Sequence, residues 1–276
     1  MGVGAVKKVL KGDEPPLLRS YRQMVPHGEW NQMRNDAHYG GQQAYKDCRI
    51  KSIGDQKGLC AYCEIAIHDN NPLRCRVEHF HPKSDTSTAH NWALDWQNML
   101  GVCNGGGNPH QTAEGFHLDP TKANLSCDAH KDKMIQAHKL TEDCEGWILN
   151  PLRIATSPAL FRLEKSTGYL LPGIVACAAS PLYTGNRHAS VEALVQHTIE
   201  MLNLNCDRLA KARLRIIWDI EQNKKKQRQS GFNAQQGLSN LAQRYFRSYW
   251  PGFFTTIRLC LSQAAEAHLH AISYAG

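Results

Sequence analysis

Val77-Glu78-His79-Phe80-His81-Pro82-Lys83 is the stretch whose reading decides the fold. An acid and an imidazole stand side by side in it. On a strand, adjacent side chains point to opposite faces. Glu78 and His79 therefore share a site only if the chain bends there, and Pro82 with the turn after it supplies the bend. Three more pieces flank this one between residues 59 and 131. Upstream, Cys60-Ala61-Tyr62-Cys63 follows Gly58-Leu59. Downstream come Trp96-Gln97-Asn98-Met99-Leu100-Gly101-Val102-Cys103 and Ser126-Cys127-Asp128-Ala129-His130-Lys131. Two thiolates in Cys-x-x-Cys spacing on a tight knuckle can both face one zinc ion. Alone the motif is weak, since chance gives about 0.4 such pairs in a chain of this cysteine content.

In this order the four pieces resemble the HNH, or ββα-metal, nucleases. There a strand ends in an acid or histidine followed by His-x-x-Pro, a loop carries Asn before Leu, and a helix opens with Cys and an Asn, His or Asp. The resemblance puts His79 in the general-base position and Asn98 in the position that fixes the base loop. It puts Glu78 and Asp128 on the catalytic metal, and Cys60, Cys63, Cys103 and Cys127 on a structural zinc. It narrows further. Tyr62-Cys63-Glu64, Leu100-Gly101-Val102-Cys103-Asn104-Gly105, Ile148-Leu149-Asn150-Pro151 and Leu202-Asn203-Leu204-Asn205 look like the PtuB group. These are HNH components of Septu anti-phage systems, also found beside retrons. The resemblance implies a PtuA-type ATPase partner and a nucleic-acid substrate, DNA or RNA. One departure stands out: the second zinc pair is split by an insert between Cys103 and Cys127. Cys75, His110 or His117 is an alternative ligand for one of the four.

The residue types suit phosphodiester hydrolysis. An imidazole deprotonates water near neutral pH. A hard cation such as Mg2+ or Mn2+ takes carboxylate oxygens and keeps waters, which fits Glu78 and Asp128 and does not fit thiolates. Asp128 at a helix start lies near unpaired backbone N–H groups that also favour phosphate.

The rest of the chain frames this module. It has 276 residues, a net charge of +7, 42% hydrophobic and 21% charged residues. The mean hydropathy is −0.49. That composition excludes disorder and allows a real core without disulfides. The most apolar stretch, residues 169–183, is broken by Pro172 and Pro181 and is too short for a bilayer. The opening residues hold no apolar export signal, so a cytoplasmic location with no membrane contact is expected. Its ten cysteines then stay reduced, and those grouped with histidines read as metal ligands. Cys177, Cys206 and Cys260, in apolar runs, read as plain buried residues.

The expected fold class is α+β, with a zinc-stabilised ββα-metal module followed by a mainly helical C-terminal domain. Residues 1–56 form an N-terminal segment packing on the module, residues 57–150 the module itself, and residues 151–276 the helical domain. Expected elements are a β-like stretch at 3–10, a helix at 42–53, and short strands at 147–149 and 161–163. Helices follow from a Ser190 cap, from about 205–207, across 241–249, and from 253 to 272.

Several residues carry blander readings. His81 competes with His79 as base, or is a metal or phosphate contact. Lys83 and Lys131 are phosphate contacts or solvated lysines. Trp92 and Trp96 read as core anchors, His130 as a surface residue, and Lys224-Lys225-Lys226-Gln227-Arg228 as a solvated face. The aromatic tail of Tyr245, Phe246, Tyr249, Trp250, Phe253 and Phe254 reads as core. The alternative function is a non-catalytic zinc-stabilised nucleic-acid-binding or adaptor protein. It needs the cysteines but not Glu78, His79 and Asp128 together.

Overall fold

A computed structural model describes residues 7–68, 71–106, 122–157, 159–182, 184–247 and 250–276. The chain mixes ten helices with two small sheets among these residues. Three helices come first: α1 (Pro16–Met24), α2 (Trp30–Asn35) and α3 (Gly41–Asp55). Pro15 and Pro16 start α1 rather than merely breaking the chain, because a proline in the first turn gives up no intrahelical N–H bond. A Cβ on Gly41 would sit 2.3 Å from the Met33 carbonyl oxygen, so only glycine lets α3 start against α2. The helix expected at 42–53 is α3. Residues 7–10 form no strand; Val9 N–H instead donates to Pro151 O at 2.9 Å, tying the N-terminal segment to a distant turn.

The strands β1 (Cys75–His79) and β2 (Met99–Cys103) pair antiparallel, with Cys75 opposite Cys103 and His79 opposite Met99. A turn of 3-10 helix at Trp96–Asn98 leads into β2. The free edge of β2 is closed by a side chain. Buried Gln56, just after α3, donates to Gly101 O at 2.6 Å and accepts from Gly101 N at 2.7 Å. Helix α4 (Cys127–Gln136) packs against β2, giving a strand–strand–helix unit.

The second hairpin is β3 (Phe161–Glu164) and β4 (Tyr169–Pro172), followed by α5 (Ile174–Ala179). The strand expected at 161–163 is β3. Residues 147–149 make only a single bridge, between Glu145 and Ile148. Next come α6 (Val191–Met201), α7 (Asp207–Gln229), α8 (Ala234–Tyr245), α9 (Phe254–Leu261) and α10 (Gln263–Ala271). The Ser190 side chain accepts from Ala193 N, as its capping position predicts. The last expected helix is broken in two at Ser262, whose φ of 51° lies outside helical space.

Three apolar clusters hold the chain together. The largest gathers the four motif cysteines with β2, α6 and the start of α7. A second lies among α7 to α10 and buries Phe246, Trp250 and Phe254. Phe253 is buried in the first cluster, and Tyr245 is partly buried against the second. The expectation of core aromatics in the tail thus holds, Tyr249 lying outside the described residues. The third joins α1 to α3 with Val77, Trp96 and Met99. It presses the N-terminal helices onto the strand that carries Glu78 and His79. Among the described residues, no helix is long and apolar enough to cross a membrane.

Candidate functional site

Four thiols meet at one point. Cys60 and Cys63 sit on a turn closed by Glu64 N–H to Cys60 O and Cys60 N–H to Ile65 O, each 3.0 Å. Cys103 ends β2, and Cys127 opens α4 with a left-handed φ of 54°. The four sulfurs lie within 4.8 Å of one another and are buried. Cys60 and Cys127 Sγ are 3.9 Å apart, and Cys63 and Cys103 Sγ 3.7 Å apart. A tetrahedral zinc with bonds of about 2.3 Å needs sulfurs about 3.8 Å apart, so the donor set and its spacing fit. Backbone N–H groups of Cys103 and Gly105 point at Cys60 and Cys103 Sγ, both at 3.3 Å, which favours thiolates. Burial pushes the Cys63 and Cys127 thiols well up. Cys60 is buried too, but its hydrogen bonds with Cys103, Cys127 and Cys63 outweigh burial and hold it well down. Cys75 is not in this group: its Sγ donates to Asn71 O at 3.2 Å. His110 and His117 lie outside the described residues.

Next to this cluster a cleft of about 360 Å³ opens over the end of β1. Glu78 and His79 both line it, although they leave the strand on opposite faces. The strand stops at His79, and Phe80 N–H already bonds to Asn98 O at 3.0 Å, so the cleft wraps around a strand end. Asp128, in the first turn of α4, closes the same cleft. Its negative charge faces Glu78 and adds to the upward push on the Glu78 carboxyl. Both carboxylates are buried and each meets a cation. Lys131 Nζ is bonded to Glu78 Oε1, and Arg76 Nε lies 2.6 Å from Asp128 Oδ2. Tyr62 OH, from the cysteine knuckle, reaches Glu78 Oε1 at 3.5 Å. Burial pushes Glu78 well up; Lys131 pulls against this and Asp128 adds to it. Two buried carboxyls lining one cleft offer the hard oxygens a divalent cation takes.

His79 is held on two sides. One ring nitrogen, Nε2, lies 3.0 Å from Ala93 O. A carbonyl only accepts, so Nε2 carries the proton and Nδ1 keeps a lone pair. Trp30 of α2 packs edge-on against the imidazole, with ring centres 4.6 Å apart. Burial first, then the charges of Lys83 and Lys131, push its pKa down to about 3, so the imidazole is neutral.

His81 is placed differently. Its Nε2 lies 2.7 Å from Asp85 Oδ2 and its Nδ1 3.5 Å from Asp143 Oδ1, and its ring lies on Trp92. Both nitrogens face carboxylates, and the ring does not line the cleft. Asn98 ties the intervening loop to β2. Its Oδ1 accepts from His81 N at 2.7 Å, and its Nδ2 donates to His81 O at 2.9 Å and Trp92 O at 3.1 Å. Trp92 precedes Ala93, whose carbonyl orients His79. Lys83 and Lys131 both line the cleft; Lys131 is buried against Glu78 and is not a solvated lysine. Trp96 is a buried anchor, with its Nε1 on Gly12 O at 2.9 Å.

Trp30, Arg34 and Tyr45 belong to no sequence motif, yet they line the cleft. No spacing signal marks them, because they reach the site only through packing of α2 and α3 on β1. Arg76 also lay unremarked, beside the Val77-Glu78 pair.

No family model matches the chain. A curated relative from Escherichia coli, named "Retron Ec83 putative HNH endonuclease", is 38% identical over 215 residues. The match covers 77% of this chain and 80% of that protein. With likeness of that extent, and with the strand–strand–helix unit that carries the four motif pieces, this chain belongs to the HNH endonuclease family.

Proposed function

We propose that the protein is a metal-dependent HNH endonuclease that hydrolyses phosphodiester bonds of DNA or RNA in the bacterial cytoplasm. Its place is in an antiviral defence system of the PtuB type, with a PtuA-type ATPase controlling it. The observation that carries the chemistry is the arrangement of His79: Nε2–H spent on Ala93 O, in one cleft with the carboxylates of Glu78 and Asp128. The defence role rests on the PtuB-like motifs and on the retron in the relative's printed name.

In this reading Nδ1 of His79 takes the proton of the attacking water. Burial keeps the imidazole neutral, and the anionic phosphate arriving beside it raises its proton affinity. Trp30 and Ala93 O fix its plane, and Asn98 fixes the loop that carries Ala93. Glu78 and Asp128 hold the divalent cation, Mg2+ or Mn2+. Bound there, such a cation supplies neutralisation of charge on the scissile phosphate and the departing oxygen. Cys60, Cys63, Cys103 and Cys127 hold a structural zinc. Lys131 and Arg76 hold the two carboxyl groups in place.

The test pairs wild type with His79→Ala, each alone and co-expressed with the ATPase, on plasmid and on tRNA. The variant is expected to keep its zinc and its melting temperature and to lose cleavage by about 10²–10⁴-fold. Wild-type activity should disappear on chelation and return with Mg2+ or Mn2+. Full cleavage by His79→Ala would move the base to His81, and wild-type protein that binds but does not cleave, with or without the ATPase, would leave the zinc-stabilised binding protein as the better account.

A further inference from the structure

The cleft holds four basic side chains, and two of them are already engaged: Lys131 on Glu78 and Arg76 on Asp128. Among the described residues, Arg34 and Lys83 line the same cleft without an acidic partner. Lys83 follows Pro82 on the motif side. Arg34 comes from the last turn of α2, outside the strand–strand–helix unit.

Arg34 is exposed, yet it is not adrift. Its guanidinium lies over the Tyr45 ring, 5.4 Å from the ring centre. Tyr45 packs edge-on against Trp30 at 5.4 Å, and Trp30 packs edge-on against His79 at 4.6 Å. A continuous row of rings thus sets the position of a planar cation relative to the imidazole. A cation–π contact spends no N–H group, so the fork of the arginine stays available to grip phosphate bidentately. A surface arginine with no such platform loses side-chain entropy on binding, whereas this one is already partly ordered.

We propose that Arg34 is a substrate-binding residue: it clamps a phosphate of the nucleic-acid backbone next to the one presented to His79. This rests on the nuclease reading. The ligand chemistry is the phosphodiester chain itself, shared by DNA and RNA.

The experiment measures binding, so it does not depend on catalysis. Fluorescein-labelled oligonucleotides of one sequence, as DNA and as RNA, are titrated with His79→Ala protein and with the same protein carrying Arg34→Gln or Arg34→Lys. Fluorescence anisotropy is read over a range of salt. Arg34→Gln should raise Kd roughly tenfold at low salt and lower the salt slope by about one counterion. Arg34→Lys should recover the slope but only part of the affinity, because it keeps the charge and loses the fork. The two probes separate the sources: the nucleic acid whose binding depends on Arg34 is the one the cleft holds. The proposal is overturned if Arg34→Gln leaves Kd and slope unchanged on both probes, or if the parent protein binds neither at about 50 mM salt. Cleavage retained by His79→Ala would count against the base assignment alone and leave the binding result readable.

Discussion

Asn98→Ala separates the roles of loop and base. The amide makes three hydrogen bonds, at 2.7, 2.9 and 3.1 Å, to His81 N, His81 O and Trp92 O. At about 1 kcal/mol net for each, their loss costs about 3 kcal/mol. In a chain this long that lowers the melting temperature by about 6–12 °C, a drop that scanning calorimetry resolves easily. The variant also frees the loop that carries Ala93 O, and His79 loses its fixed plane. A base misplaced by an ångström costs on the order of 10²-fold in rate. The decisive measurement is the double variant. If Asn98 acts through His79, Asn98→Ala reduces cleavage in the wild-type background and changes nothing further in His79→Ala, while the stability loss appears in both. Multiplying losses of cleavage in the double variant, or an unchanged melting temperature in the single one, would refute the reasoning.

Atomic emission should find one zinc per chain; Cys127→Ser should lose it and, since structural zinc contributes on the order of 10 kcal/mol, fail to give soluble folded protein. Lys11 supplies a pH signature: half-buried, with Nζ donating to Met99 O at 2.8 Å, its pKa is pushed down by burial to about 7 from an ordinary 10.5. Between those values the unfolded chain binds a proton that the folded chain does not, so stability rises with pH across that window, by at most about 1.4 kcal/mol per unit. Urea melts at pH 7 and 9 should show the rise in wild type and a flatter profile in Lys11→Met. Ser262→Gly should stabilise by about 1 kcal/mol in the same assay, because it relieves a left-handed backbone between α9 and α10 that a Cβ disfavours.

Local patterns were legible wherever one residue type does a local job. The Ser190 cap, the helix after Gly41 and the cysteine knuckle were all readable from spacing and side-chain chemistry. The resemblance carried the pairing of β1 with β2 and the gathering of Cys103 and Cys127 with the knuckle, across an insert that spacing alone leaves ambiguous. What escaped was set by packing or by single backbone angles. Apolar periodicity runs unbroken through 253–272, and only the positive φ at Ser262 divides it. Trp147-Ile148-Leu149 has strand-like composition but finds no partner strand, since Leu149 N–H goes to Thr198 Oγ1 of α6 instead. His79 and His81 differ in what each ring nitrogen touches, which spacing does not reveal. The wall of Trp30, Arg34 and Tyr45 comes from helices whose own sequence shows only a mixed, partly polar segment.

Cys127 and Asp128 are neighbours on one helix end, the first turned to the sulfur cluster and the second to the cleft. Tyr62, between the knuckle cysteines, reaches Glu78 from the same side. With zinc as occupant, both acids of the proposed catalytic site are mounted directly on the metal's own scaffold. Maturation and arming then become a single event. A newly made chain that has not yet captured its ion presents no half-built blade to the host's nucleic acid, and a cell starved of zinc accumulates inert polypeptide instead of a loose cutter.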